Sequence, residues 1–301
     1  MIKEDMASRL KGALRFAESL AGHTTLKIGG PADIWFEPLD VEDLKEAVKF
    51  CSEHGIRPFV IGNGSNILAR DEGFRGMMIR LSEEAFKNCL IDGNRASSGA
   101  GIQVGGLLNR LAENSLGGLE FMAGIPGTLG GALVMNAGIR TAEGDMSIGG
   151  LVQEVKAVDM KGNEKILSKD ELVFGYRRSN LKGLILIEAS MILTEADKDT
   201  VISNTNGYLE RRKRKCDYSF PGAGCIFKNP EDGIETAGQL IDRLGFKGYE
   251  KGGVAVSSKH ANFILNRSSA TAEDMLKVIK TIRSRAKSSY GVDLDLEIEI
   301  V

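Results

Sequence analysis

Residues 117–138 constrain the fold of this chain more than any other segment. They contain seven glycines among 22 residues, and most of the remaining residues are apolar. A flexible linker would be polar, and a core helix would not carry so much glycine. Glycine adopts positive φ and lets main chain approach a ligand without an intervening Cβ, and successive N–H groups in such turns form anion-binding concavities. The segment therefore predicts main chain wrapped against a phosphate-bearing cofactor.

Two further glycine-containing segments lie earlier in the chain, at residues 62–66 and 99–106. The first is a polar turn after a short β-prone run, and it consists of Gly62, Asn63, Gly64, Ser65 and Asn66. It lacks the GxGxxG spacing of a Rossmann nucleotide site and the GxxxxGK(S/T) pattern of a P-loop. Such a turn by itself is more often a hairpin or a surface loop. Three such segments within about 80 residues favour a binding site for a large ligand.

The composition is that of an ordinary globular protein. Of 301 residues, 42% are hydrophobic and 27% are charged, and 39 basic against 41 acidic residues leave a net charge of −2. This balance indicates neither a nucleic-acid partner nor an anionic membrane surface. The N-terminal residues lack the apolar stretch of a secretory signal, and no run approaches the roughly 18 apolar residues that indicate a membrane helix. Four scattered cysteines without metal spacing favour a reducing cytoplasm and no metal site.

Hydrophobic periodicity predicts an α+β chain without internal repeats. We expect a helix over residues 1–22 and an amphipathic helix over residues 41–54, the second of them closed by Gly55. Short strands dominate residues 96–195, where a helix at residues 104–114 and the long glycine-rich segment interrupt them.

The last third of the chain has a different character. A connecting helix is expected over residues 198–208, and a long amphipathic helix over residues 272–290. The apolar face of the long helix consists of Met275, Val278, Ile279, Ile282 and Ala286. Residues 294–301 alternate between acidic and apolar side chains and predict a terminal strand. These changes divide the chain into three predicted domains, residues 1–80, 81–195 and 196–301.

Two segments carry side chains suited to catalysis. Residues 174–179 place two arginines between strand regions, and an arginine there can clamp a carboxylate or stabilise an anionic intermediate. Residues 220–230 form an apolar, glycine-containing turn around Cys225, whose thiol can donate a proton or act as a nucleophile. The alternatives are an ordinary surface arginine pair and a buried structural cysteine.

Three further features carry weaker signals. Residues 211–215 are five consecutive basic side chains, which are usually solvated but also suit the phosphate or diphosphate of a substrate. Glu297 lies in the expected terminal strand, where alternation predicts an edge strand with a solvated acidic face. His260 is one of three histidines and joins two expected strands.

Taken in order, these segments resemble the UDP-N-acetylenolpyruvoylglucosamine reductase family, whose members are also called UDP-N-acetylmuramate dehydrogenases. The matching stretches span residues 23–299 and read HTTLKIGGPAD, IGNGSNILARDEGF, AGIPGTLGGALVMNAG, FGYRRSNLK, GAGCIFKNP, SSKHANFILN and GVDLDLEIE. The ordered set is highly specific, although no single motif carries the resemblance. The chain length is similar to that of the shorter form of the family.

The resemblance implies an FAD-binding fold of the vanillyl-alcohol-oxidase (PCMH) type, made of two sub-domains and followed by a C-terminal α+β substrate-binding domain. It implies that residues 62–66 hold the FAD diphosphate through main-chain donors. A second implied flavin contact is the turn of Gly124, Ile125, Pro126, Gly127 and Thr128. The implied reaction converts the enolpyruvyl ether of UDP-N-acetylglucosamine to UDP-N-acetylmuramate, in cytoplasmic peptidoglycan precursor synthesis, with NADPH as hydride donor to FAD.

The resemblance also implies residue roles. Arg177 stabilises the enolate, Cys225 donates the proton in a position where better-known members have serine, and Glu297 acts with the arginine. The implied substrate contacts are Lys215, Asn229 and His260. Two rival functions share the scaffold, an FAD-dependent oxidase acting on a hydroxy acid or alcohol and a non-catalytic protein that binds a nucleotide sugar. Oxygen consumption during turnover would distinguish the oxidase, because the reductase requires NADPH instead.

Overall fold

A computed structural model describes residues 2–141, 144–230 and 235–301. In these ranges the helices are α1 (Ile2–Arg9), α2 (Val41–Glu53), α3 (Val104–Glu113), α4 (Leu129–Val134), α5 (Lys198–Lys215), α6 (Ala237–Arg243) and α7 (Ala272–Tyr290). The strands are β1 (Ala13–Ser19), β2 (Pro31–Glu37), β3 (Pro58–Val60), β4 (Ile67–Leu68), β5 (Phe74–Ile79), β6 (Cys89–Asp92), β7 (Arg95–Gly99), β8 (Leu116–Gly117), β9 (Gly138–Thr141), β10 (Gly144–Ser147), β11 (Val152–Val158), β12 (Glu164–Ser168), β13 (Phe174–Gly175), β14 (Arg178–Ser179), β15 (Ile185–Ile192), β16 (Thr194–Glu195), β17 (Gly222–Cys225), β18 (Glu250–Lys251), β19 (Val254–Val256), β20 (Phe263–Asn266) and β21 (Glu299–Ile300). Within the described ranges, every helix is too short or too polar to cross a lipid bilayer.

The chain forms two compact units, each assembled from three stretches. Unit 1 contains Met1–Phe16, Ile34–Gly62 and Gly76–Arg212, and unit 2 contains Ala17–Asp33, Asn63–Arg75 and Lys213–Val301. The chain passes between the units within β1, β2, β5 and the last turn of α5, and once between Gly62 and Asn63. The predicted domain division at residues 80 and 195 stays a prediction.

Unit 1 is organised around a five-stranded antiparallel sheet in the order β12-β11-β15-β7-β6. A second sheet has the order β1-β2-β5-β3, in which β3 runs parallel to β5. The hydrophobic core of this unit includes Phe36, Leu44, Phe50, Phe86, Leu107, Leu133, Val155 and Met191. Burial of these side chains is the main term that stabilises the unit.

Two aspartates anchor α2 in unit 1. The carboxylate of Asp40 accepts a hydrogen bond from the Asp43 N–H at 2.9 Å, which satisfies one of the unpaired amides at the helix start. Asp43 is itself buried, and its carboxylate accepts from the N–H groups of Lys11, Gly12 and Leu39 at 2.8–2.9 Å. The predicted apolar face of this helix is buried as expected, with Leu44, Val48 and Cys51 all inaccessible.

Unit 2 combines the antiparallel sheet β17-β20-β19-β18 with α6, α7 and the short parallel pair β4-β21. Helix α7 begins at a capping box between Thr271 and Asp274, and it ends at Gly291, which adopts a left-handed conformation with φ of 70°. The prediction for this helix is confirmed in both its limits and its buried face, which contains Met275, Val278, Ile279, Ile282 and Ala286.

The helix expected over residues 1–22 is wrong. Helix α1 ends at Arg9, and β1 follows, with Leu14 and Phe16 half-buried between exposed neighbours. In this segment, the alternation of half-buried and exposed side chains with a period of two therefore prevails over the helical period. Gly12 marks the break, because a Cβ there would lie 2.0 Å from the main-chain oxygen of Glu37.

The terminal strand expected over residues 294–301 is also wrong. Only β21 pairs as a strand, because its partner β4 is itself two residues long. Leu296 makes an isolated bridge to Phe227, and Glu297 is half-buried instead of fully solvated. Helix α5 runs further than expected, so that the basic residues 211–215 form its last turn. The short helix α4 within the glycine-rich segment was not anticipated.

Candidate active site

The long glycine-rich segment lies beside the glycine-containing segment at residues 99–106 in unit 1. The main-chain oxygen of Gly127 accepts from the Val104 N–H at 3.0 Å, and the Leu129 N–H donates to the Ile102 oxygen at 2.9 Å. These bonds bracket an isolated antiparallel bridge between Gln103 and Thr128. Strand-like hydrogen bonds therefore hold the main chain on both sides of Thr128.

Glycine is required at the tip of this turn. Gly124 has φ of 73°, and a Cβ there would lie 2.9 Å from Cδ of Arg212 on α5. Thr128 then starts α4, since its hydroxyl accepts from the Gly131 N–H at 3.3 Å. A Cβ on Gly62 would lie 2.6 Å from that same hydroxyl oxygen. Gly62, the first residue of the turn at residues 62–66, thus lies beside Thr128 in unit 1.

The turn at residues 62–66 has a donor set that suits a diphosphate. Gly64 is buried, has φ of 59°, and would place a Cβ 2.2 Å from the main-chain oxygen of His23. In the part of the chain that the structure describes, the main-chain N–H groups of Gly62 and Gly64 have no hydrogen-bond acceptor. Such donors in a turn form an anion-binding concavity, so the residues fit FAD.

The side chain of Asn66 in this turn has a structural partner. The side-chain amide of Asn66 donates to the main-chain oxygen of Glu297 at 3.0 Å, and the Glu299 N–H donates to the Asn66 oxygen at 2.9 Å. Asn66 thereby ties the turn to the C-terminal segment of unit 2. Asn63 and Ser65 are half-buried at the same turn.

Arg177 lies in the two-residue turn between β13 and β14 of unit 1. It adopts a left-handed conformation with φ of 51°, which is uncommon for a residue other than glycine. Its Nη2 donates to the main-chain oxygen of Gly138 at 3.0 Å, and its guanidinium carbon lies 5.3 Å from the centre of the Tyr176 ring. The guanidinium is half-buried and held at a defined position.

A buried asparagine braces this hairpin. Asn136 Nδ2 donates to the Gly175 oxygen at 2.9 Å, and its Oδ1 accepts from the Gly149 N–H at 3.0 Å. The hydroxyl of Ser179 donates to the Val134 oxygen at 2.8 Å on the other side of the turn. Asn136 was not among the predicted site residues. Its signal in the sequence was a polar side chain between the apolar neighbours of the glycine-rich segment.

Cys225 ends β17 in unit 2, where it pairs with Phe263 of β20. It is half-buried and packs against a small apolar cluster of Cys216, Phe263 and Leu265. All four cysteines of the chain are free thiols. The left-handed Gly224, with φ of 74°, bends the chain directly before the thiol.

Unit 2 pairs the main chain of Glu297 with that of Ile226, the residue after Cys225. The Glu297 N–H donates to the main-chain oxygen of Ile226 at 2.8 Å. Buried Asn262 fixes the same turn, because its side-chain amide exchanges hydrogen bonds of 2.8 and 2.9 Å with the main chain of Phe227. Asn262 is a second residue that sequence reasoning missed. Arg177 belongs to unit 1, and its approach to the other two residues stays a prediction.

The predicted substrate contacts also lie in unit 2. Burial lowers the pKa of His260, and the positive charges of Lys247 and Lys215 lower it further. Its Nδ1 accepts from the Asn262 N–H at 3.3 Å, so neutral His260 carries its proton on Nε2. Lys215 is exposed, whereas the Asn229 Oδ1 accepts from the Ala237 N–H at 3.0 Å and caps α6.

Known proteins resemble this chain over nearly its whole length. Residues 216–301 match the family model described as UDP-N-acetylenolpyruvoylglucosamine reductase, C-terminal domain, and residues 32–168 match an FAD binding domain. The UDP-N-acetylenolpyruvoylglucosamine reductase of Desulforamulus reducens is 40% identical over 299 residues, which cover 99% of this chain and 96% of that protein. The chain belongs to the UDP-N-acetylenolpyruvoylglucosamine reductase family.

Other relatives agree with this assignment. The UDP-N-acetylenolpyruvoylglucosamine reductase of Moorella thermoacetica is 38% identical over 98% of this chain and 96% of its own length. The crystal structure of the Thermus caldophilus reductase superposes with a TM-score of 0.80 at 34% identity and covers 97% of this chain and 99% of its own. A Phl p 4 variant described as a glucose oxidase shares the fold alone, with a TM-score of 0.50 at 18% identity over 65% of this chain and 44% of its own.

Membership in the reductase family confirms the predicted fold class. The protein has a PCMH-type FAD-binding fold with a C-terminal α+β domain, and it is an FAD-containing oxidoreductase whose family uses NADPH as reductant. The individual roles predicted for Arg177, Cys225 and Glu297, and for the cofactor and substrate contacts, stay predictions.

Proposed function

We propose that this protein reduces the enolpyruvyl ether of UDP-N-acetylglucosamine to UDP-N-acetylmuramate, in the cytoplasmic synthesis of peptidoglycan precursors. The observation that carries the proposal is the near-full-length relationship to the Desulforamulus reducens reductase at 40% identity. The substrate would be a small UDP-sugar, with neither a nucleic acid nor a membrane as partner.

FAD is proposed to bind through the turn at residues 62–66 and the turn at residues 124–128. The N–H groups of Gly62 and Gly64 would donate to its diphosphate, and Gly124 to Thr128 would face the flavin. When bound, FAD would supply the redox chemistry between NADPH and the vinyl carbon of the substrate.

The side chains of the protein would supply the charge and the proton. Hydride addition leaves negative charge on the carbon that bears the substrate carboxylate, and Arg177 would stabilise that charge. The Cys225 thiol is the proposed proton donor, because a thiol carries one S–H proton that it can donate. Glu297, whose main chain adjoins that of the residue after Cys225, would act with the arginine on the intermediate.

The first test is spectroscopic. The purified protein should be yellow, with flavin absorption that NADPH bleaches under anaerobic conditions and the enolpyruvyl substrate restores. Protein that takes up no FAD would end the proposal. Turnover that consumes oxygen and needs no NADPH would instead favour an oxidase of the same fold.

The second test concerns the proton donor. Cys225→Ala should slow turnover of the enolpyruvyl substrate roughly 100-fold, the scale of a lost general acid, and leave the rate of flavin reduction by NADPH unchanged. Cys225→Ser should retain most of the activity, because a hydroxyl can also donate a proton. Cys89→Ala, at a half-buried thiol on β6 of unit 1, is the matched control. Equal turnover of Cys225→Ala and the control would refute the donor role.

A further inference from the structure

A chain of hydrogen bonds in unit 2 joins the segment after α5 to the turn at residues 257–260. The Oδ2 of Asp217 accepts from the hydroxyl of Ser257 at 2.5 Å. Its Oδ1 accepts from the N–H and the hydroxyl of Ser219 at 3.0 and 2.6 Å. Burial works to raise the pKa of Asp217, but these hydrogen bonds outweigh it and hold the pKa below the ordinary value. Asp217 is therefore an anion at neutral pH.

Ser257 connects Asp217 to the turn at residues 257–260. Its side chain is buried, and its Oγ accepts from the N–H groups of Lys259 and His260 at 3.0 and 3.1 Å. A hydroxyl has one proton and two lone pairs. Because the proton goes to Asp217 and both lone pairs are used, the orientation of Ser257 is fully determined.

Lys259 ties the same two segments together from the other side. Its ammonium donates to the main-chain oxygens of Lys213 and Cys216, each at 2.7 Å. These carbonyls lie at the C-terminal end of α5, where they lack partners within the helix and where a positive charge is favourable. The ammonium of Lys259 therefore binds the end of the helix, and we do not assign it to ligand binding.

In the sequence, Lys215 lies between Lys213 and Cys216, whose main-chain oxygens accept from Lys259. The side chain of Lys215 is exposed. Its positive charge helps to lower the pKa of His260, although burial is the larger cause. Neutral His260 offers an Nε2–H donor, and Lys215 offers an ammonium. Donors of these two kinds suit the oxygens of a diphosphate.

We propose that Asp217 is a positioning residue for the diphosphate of the substrate, because through Ser257 it fixes the segment carrying Lys215 against the turn carrying His260. The inference rests on the proposed function, which supplies a UDP-sugar as substrate. Asp217 itself does not touch the ligand. Its loss should therefore weaken binding of the diphosphate and leave the chemical steps intact.

Steady-state kinetics and binding of UDP test this inference. Asp217→Asn keeps the size of the side chain and removes its charge. It should raise both KM for the enolpyruvyl substrate and Kd for UDP roughly tenfold, the effect of one lost charge-assisted hydrogen bond. The kcat and the rate of flavin reduction by NADPH should change less than about twofold, because a positioning role acts on binding. Asp293→Asn, at an exposed aspartate paired with Lys287 in the same unit, should change none of these values.

Ser257→Ala provides a second route to the same answer if Asp217→Asn fails to fold. It should raise KM and Kd by a similar factor, and the double variant should be no worse than either single variant, since both act through one hydrogen bond. Unchanged KM and Kd, or a fall in kcat alone, would overturn the inference. If the wild-type protein neither binds UDP nor turns over the enolpyruvyl substrate, the proposed function fails before any variant is compared.

Discussion

At the scale of single residues, buried asparagines position the groups proposed for chemistry. Asn136 braces the hairpin that carries Arg177, and Asn262 braces the turn that follows Cys225. An amide side chain can donate and accept at once, so one residue satisfies two main-chain groups that burial would otherwise leave unpaired.

Replacing Asn136 by alanine should damage both stability and catalysis. The Gly175 oxygen and the Gly149 N–H would lose their partner, and an unsatisfied buried group costs about 1–3 kcal/mol. We expect the free energy of unfolding in urea to fall by that amount, and kcat/KM to fall because the Arg177 turn is loosened. Asn163→Ala, at an exposed asparagine of unit 1, should change stability by less than about 0.5 kcal/mol. Equal losses in the two variants would show that Asn136 is no brace.

The depressed pKa of His260 predicts a dependence of stability on pH. As pH falls below the unfolded value of about 6.5, the unfolded chain binds a proton before folded His260 does. The stabilising contribution is therefore complete above that value and is lost as pH falls towards the folded pKa. Between pH 7.5 and pH 5.5, the melting temperature of His260→Gln should fall by less than that of the wild type, as measured by matched thermal scans. An equal loss in both proteins would exclude His260 as the cause.

At the scale of elements, long amphipathic helices were predicted well, and short or mixed segments were not. The pattern of residues 272–290 has a clear helical period and clear ends, and α7 has those limits. Residues 1–22 contain both a helical and an alternating pattern, and the alternation became β1. Two-residue strands such as β21 depend on a partner, so no local pattern reveals them.

Helix α7 also has a cap that its own sequence does not contain. The carboxylate of Asp71, 201 residues earlier, accepts from the N–H groups of Ala272 and Glu273 at 2.7 and 2.9 Å. Asp71→Ala should lower the free energy of unfolding by about 1 kcal/mol, as for other lost helix caps. Glu72→Ala, at the exposed neighbouring residue, is the control and should be close to neutral. Chemical denaturation of both variants measures the difference, and equal stabilities would contradict the cap.

At the scale of the whole molecule, each unit has its own hydrophobic core. The core of unit 1 includes Phe36 and Val155, and that of unit 2 includes Phe227 and Val278. Unit 2 is assembled from stretches that lie far apart in the sequence, since residues 17–33 and 63–75 pack with the last 89 residues. Unit 2 therefore depends on contacts between residues that are far apart in the sequence.

Removal of FAD should destabilise the molecule as a whole. A ligand that binds only the folded state stabilises it by about 2.7 kcal/mol when its concentration is 100 times Kd. We therefore expect the deflavinated protein to melt several degrees lower, and added FAD to restore the melting temperature. AMP, which lacks the flavin, serves as the control and should restore less. If FAD leaves the melting temperature of the apoprotein unchanged, the proposed cofactor site is wrong.

The sequence by itself determined the family, the fold class and the elements whose hydrophobic period is long and unmixed. It also indicated the glycines around Thr128, because positive φ and close approach restrict those positions to one residue type. The tertiary structure alone decided which distant groups meet, such as Glu297 with Ile226, Asn66 with Glu297, and Asp71 with α7. The physical reason is that local periodicity reports only which side chains are buried, whereas a hydrogen bond between residues 71 or 231 positions apart depends on how the whole chain folds back on itself.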